Sequence, residues 1–63
     1  MFKLGETLVW THIDDESGEQ LHELVVVRNM RQYPRSIYYT LQVLETGDVA
    51  NAWSDELHHY SET

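Results

Sequence analysis

The stretch Ser36-Ile37-Tyr38-Tyr39-Thr40-Leu41-Gln42-Val43-Leu44 alternates with a period of two. Ile37, Tyr39, Leu41 and Val43 fall on one side and Tyr38, Thr40, Gln42 and Leu44 on the other, the pattern of a strand with one face on a core. Glu45-Thr46-Gly47-Asp48 then makes a tight reversal in which Gly47 is expected to take a positive φ, and Val49 to Trp53 returns as the hairpin partner. Working backwards, Tyr33-Pro34-Arg35 breaks the chain. Before it, Leu21 to Met30 carries the block Leu24-Val25-Val26-Val27, whose β-branched run favours a strand over a helix. Asp14-Asp15-Glu16-Ser17-Gly18-Glu19 is a polar, glycine-containing loop, preceded by the β-prone run Thr7-Leu8-Val9-Trp10. At the other end, Ser54-Asp55-Glu56-Leu57 reads as one helical turn with Ser54 as its N-cap, and Leu57 to Tyr60 as a last short strand. Short strands, close turns and one helical turn before the last strand predict an all-β fold, a small five-stranded, strongly bent antiparallel barrel, with a three-stranded open sheet with ragged ends as the alternative.

Length and composition bound the rest. Sixty-three residues hold one domain, spanning 1–63, and an apolar content of 41% is too rich for a disordered chain. A domain this small has little room for a deep, water-excluding cleft, so the chain is not expected to be an enzyme. Eleven Asp and Glu stand against four Lys and Arg, a net charge of -7. Lys3, Arg28, Arg31 and Arg35 are too few for a groove that neutralises successive phosphates, which speaks against direct nucleic-acid binding. The same acidic field attracts a basic protein surface. There is no Cys, no apolar run long enough to span a membrane and no basic and apolar leader, so a cytoplasmic setting without membrane contact is expected.

The opening Phe2-Lys3-Leu4-Gly5-Glu6-Thr7-Leu8 resembles the start of SH3-like barrels of the Tudor, KOW and small bacterial or phage types, and Val49 to Leu57 resembles their end. The likeness runs along nearly the whole chain in order of elements. It departs from signalling SH3 domains, since their aromatic-rich opening motif, paired Trp and proline-peptide shelf are not recognisable. The resemblance implies the barrel and binding through loops and one open face.

Residues that could carry chemistry are scattered. His12, His22, His58 and His59 suit zinc by ligand type, but neighbouring His58 and His59 point to opposite faces of a strand, so no metal or other cofactor is expected. Asp14, Asp15 and Glu16 lack the spacing of a calcium loop and read as a solvated charge run. No serine sits in a nucleophile motif, and no glycine-rich phosphate loop is present. Trp10, Tyr39 and Trp53 are expected in the core or on a half-buried shelf. Tyr33, Tyr38 and Tyr60 either cover the sheet and its open ends or line a groove, as Tudor-type relatives do with an aromatic cage for methylated cations.

Together these readings predict a non-catalytic module that binds another protein, one with a basic surface, through an acidic and aromatic surface. Its contact residues are Asp14, Asp15, Glu16 and Glu19 in the first loop with Tyr33 and Tyr38 beside it. The alternative is an acidic nucleic-acid mimic of phage or mobile-element type that inhibits a host DNA- or RNA-handling protein by occupying its basic groove. An exposed strand edge also leaves a homodimer open.

Overall fold

The computed structural model describes residues 2–60. The chain is all-β: strands β1 (Thr7–Ile13), β2 (Gln20–Gln32), β3 (Ile37–Val43), β4 (Val49–Trp53) and β5 (Leu57–His59), with one 3-10 turn, Ser54–Glu56, before β5. All pairings are antiparallel and the spatial order is β4-β3-β2-β1-β5. The two outermost strands are joined by only the three residues of the 3-10 turn, at roughly 2 Å of rise per residue. The sheet must therefore curl until its edges approach. No β4–β5 ladder is formed among the described residues, so the expected barrel is a curled sheet that stays open.

The bend is concentrated in β2. Val25 faces Val43 and Val27 faces Leu41, but Asn29 faces Thr40, so Arg28 and Asn29 together oppose one residue of β3. Such a bulge sharpens local twist and bends the strand. It also resets the alternation: Val25, Val27 and Met30 all face inward, at spacings of two and three. The core inside the curl comprises Leu8, Val25, Val27, Tyr39, Leu41, Val43, Ala52 and Leu57. The period-two reading of β3 is the one the packing uses, since Tyr39, Leu41 and Val43 are buried and Ile37 packs beside them.

Several expected boundaries shift. β1 runs on to Ile13 and β2 spans 20–32 because the first hairpin zips down to Ile13 opposite Gln20. Ser54 does not cap the helical turn; it is the first residue within it, and its hydroxyl pairs with that of Ser36 at 3.0 Å. Trp53 holds the cap position, and its backbone N–H donates to Glu56 Oε1 at 3.2 Å.

The β3–β4 reversal is built as expected. Gly47 has φ +78°, and its N–H donates to the Val43 carbonyl at 2.7 Å. A Cβ at Gly47 would meet nothing within 4 Å, so the constraint is purely one of backbone. Gly47→Val is expected to cost about 1 to 2 kcal/mol through that φ alone. A urea melt with an unchanged midpoint would refute it.

Candidate binding surface

The register of β2, β3 and β4 arranges the outward side chains in rows: Val26–Gln42–Val49, Asn29–Thr40–Asn51 and Arg31–Tyr38–Trp53. A further row pairs Leu24 with Leu44, whose N–H donates to the Leu24 carbonyl at 3.0 Å. None of these positions is a carboxylate, in a chain with eleven. Arg28, the bulge residue, lies on the same side, with its Nε donating to Gln42 Oε1 at 2.9 Å. Thr40 donates its hydroxyl to Asn51 Oδ1 at 3.1 Å, which ties the middle row together.

At the aromatic end the rings converge. Trp53 lies 4.8 Å from Tyr38 and 5.6 Å from Tyr33 between centroids, both pairs tilted by about 60° as the ring quadrupoles favour. The Tyr33-Pro34-Arg35-Ser36 turn brings Tyr33 there, closed by the Tyr33 N–H donating to the Ser36 carbonyl at 2.9 Å. Between Tyr33 and Tyr38 lies a pocket of about 230 Å³, lined also by Asn29, Met30, Arg31 and Thr40. Trp53, placed by its residue type in the core or on a shelf, is 41% exposed and forms the hub of this cluster. The signal for that was in β4 itself: Ala50 and Ala52 take the inward positions, which leaves Val49, Asn51 and Trp53 outside. Tyr60, the third candidate groove residue, is exposed at the other end of the chain and joins none of these ring pairs.

The acidic loop lies elsewhere. Asp14 to Glu19 caps the β1–β2 hairpin at one end of the 13-residue β2, whereas Tyr33 and Tyr38 belong to the β2–β3 hairpin at the other end. The expected single surface is thus two. Within the loop, Asp14 Oδ1 accepts the Glu16 N–H at 3.2 Å, and Oδ2 accepts the Ser17 hydroxyl at 3.0 Å. Ser17 Oγ in turn accepts the Glu19 N–H at 3.2 Å, so Asp14 and Ser17 shape the loop. Asp15, Glu16 and Glu19 are left exposed to solvent.

This chain matches no family model, no curated protein and no solved structure. The assignment of a role therefore rests on the side chains themselves.

The histidines are distributed rather than gathered. His12 stacks on Trp10 at 3.7 Å, with its Nε2 2.6 Å from Glu23 Oε2, and Trp10 Nε1 donates to Glu56 Oε2 at 3.3 Å. His22 Nδ1 is 3.0 Å from the Thr11 hydroxyl, and His59 Nδ1 is 3.1 Å from Glu6 Oε2. Among the described residues no group of three or more His, Asp or Glu comes together in a way that could hold a metal ion.

Glu6 is the titratable group whose environment is most clearly built. The Lys3 N–H donates to its Oε1 at 2.9 Å, and this bond holds the carboxyl below its ordinary 4.5 against the opposing effect of desolvation, with His59 adding a lesser lowering. The turn it closes clamps onto β2, since the Val27 N–H donates to the Glu6 carbonyl at 3.0 Å. A carboxyl depressed in the folded state stabilises the fold above its unfolded value, and that contribution fades as pH falls through the folded one. Urea midpoints of Glu6→Gln are expected to lose part of their acid dependence below about pH 4.5. Parallel profiles for the variant and the parent would contradict this.

Proposed function

We propose that the chain is a non-catalytic protein-binding module on an SH3-like barrel, with the outer face of β2–β3–β4 as its principal contact surface. The observation that carries the reading is segregation: a face free of carboxylates in a chain of net charge -7, bearing Arg28, Arg31, Tyr38 and Trp53, with Tyr33 and Arg35 at its margin. Aromatic and arginine side chains are the residue types that dominate interface energies, and here they meet at a pocket lined by Tyr33, Tyr38 and Arg31. The strand order β4-β3-β2-β1-β5 and the 3-10 turn before β5 support the SH3-like part of the reading. The exposed carboxylates of Asp15, Glu16 and Glu19, at the far end, steer a basic region of the same partner.

Affinity capture with matched baits tests the assignment. The parent chain, Trp53→Ala and a variant with Asp15, Glu16 and Glu19 neutralised are compared against the proteins of a lysate. Loss of a specific partner from the Trp53→Ala bait supports the outer face, and a partner retained by it overturns that choice. The mimic reading draws on the same segregation, which crowds the carboxylates onto the rest of the molecule. It requires that DNA or RNA displace the captured partner.

A further inference from the structure

We infer that the outer face of β2–β3–β4 receives an acidic peptide segment of the partner, with an aromatic side chain against the rings of Tyr33 and Tyr38 in the pocket and carboxylates on Arg31 in its wall and on Arg28 and Arg35 beyond it. The inference rests on the proposed binding role of that face and specifies its ligand. Three of the chain's four fixed cations are here: Arg28 and Arg31 on the face and Arg35 in the turn at its margin. Among the described residues none of the three lies within 4.0 Å of a carboxylate, since the ion pairs found there are His12–Glu23 and His59–Glu6. In an acidic chain, three guanidinium groups with no carboxylate within 4.0 Å among the described residues are open to carboxylates of another molecule. Guanidinium groups bind carboxylates through two parallel hydrogen bonds, which makes them selective for that shape as well as that charge.

The alternatives fit less well. A cationic ligand in an aromatic cage meets Arg31 in the wall of the pocket. A small molecule is poorly enclosed, because about 230 Å³ falls below the roughly 300 to 1,000 Å³ of sites that bury one. A nucleic-acid strand finds its stacking rings at one end of the face only, where Tyr33, Tyr38 and Trp53 cluster. At the other end it meets Leu24, Leu44 and Val49, exposed aliphatic side chains that suit apolar peptide residues rather than phosphates. A peptide with a few carboxylates and apolar side chains between them matches both ends.

Amide NMR titrations with defined probes decide the matter. The probes are a nonapeptide alternating Glu and Leu on either side of a central Phe, the same peptide with Lys for Glu, and a single-stranded oligothymidylate. The acidic peptide is expected to shift the amides of Arg31, Tyr38 and Trp53 and to bind at least about tenfold tighter than the lysine peptide. Arg31→Gln combined with Arg35→Gln, both at exposed positions, is expected to weaken it about tenfold with no change in thermal midpoint. Equal or tighter binding of the lysine peptide, tighter binding of the oligothymidylate, shifts confined to the Asp14–Glu19 loop, or no binding of the acidic peptide each overturn the inference. These failures differ from failure of the surface assignment itself, which a partner retained by the Trp53→Ala bait reports.

Discussion

Tyr39→Ala is expected to cost the fold about 3 to 5 kcal/mol, the largest loss from any single truncation in this core. Tyr39 is fully buried, lies mid-way along β3 and is the largest of the completely enclosed side chains. Its ring packs edge-on to Phe2 at 5.6 Å, and its hydroxyl accepts the Phe2 N–H at 3.1 Å. Truncating a buried aromatic ring to a methyl costs about 3 to 5 kcal/mol, the lost transfer energy together with the cavity left behind. A domain of this length has roughly 3 to 9 kcal/mol in total, at about 0.05 to 0.15 kcal/mol per residue. The deletion therefore removes a third of that stability at the least and all of it at the lower end of the range. Tyr39→Phe separates the contributions: it keeps the ring, loses the acceptor for the Phe2 N–H and should cost only about 1 kcal/mol. Circular dichroism during urea titration reads both. A cooperative transition for Tyr39→Ala near that of the parent would mean the sheet does not depend on this ring.

The legibility of the fold follows from how each signal is encoded. β3 could be read directly because it is seven residues long, carries no extra residue of its own and is buried on one face, so its sequence period is the geometric one. β2 was harder: the bulge at Arg28 moves the inward positions from Val25 and Val27 to Met30, and a strict alternation would have assigned Asn29 to the core. Its length and bend depend on pairing with β1 on one side and β3 on the other, which no local pattern records. Ser54 misled because a serine before two acids fits an N-cap, whereas the cap interaction belongs to the Trp53 N–H and the Glu56 side chain.

The candidate surface was legible in its residue types and not in its layout. Tyr33 and Tyr38 were recognised as rings beside turn and strand positions, and both lie in the cluster. Their separation from Asp14–Glu19 by the length of β2 was not visible, since a loop and a turn carry no mark of which end of the sheet they occupy. Net charge hid the rest. A total of -7 describes the chain, but at physiological ionic strength a partner feels fixed charges mainly within a screening length of about 8 Å. On the outer face itself the charged side chains are Arg28 and Arg31, with Arg35 at its margin.

The second large effect is on binding, and its signature is a division between stability and affinity. Trp53 is on an edge strand and 41% exposed, with its ring laid against Tyr33 and Tyr38 outside the core. Trp53→Ala should therefore shift the folding free energy by about 1 kcal/mol or less, the range of surface substitutions with a few ring contacts. Affinity for the captured partner should fall by about 2 kcal/mol, roughly thirtyfold, as truncation of a central interface ring does. Most of that loss belongs in the off-rate, because packing holds the complex after it has formed. Neutralising Asp15, Glu16 and Glu19 should behave in the opposite way. Those side chains are exposed in a hairpin loop far from Trp53, so their removal slows association, most strongly at low salt, and leaves residence time nearly unchanged. Stopped-flow kinetics at two salt concentrations, run beside urea melts of the same variants, reads both halves. If Trp53→Ala lowered stability and affinity in proportion, the ring would be a structural support, and the contact surface would have to be sought on another face.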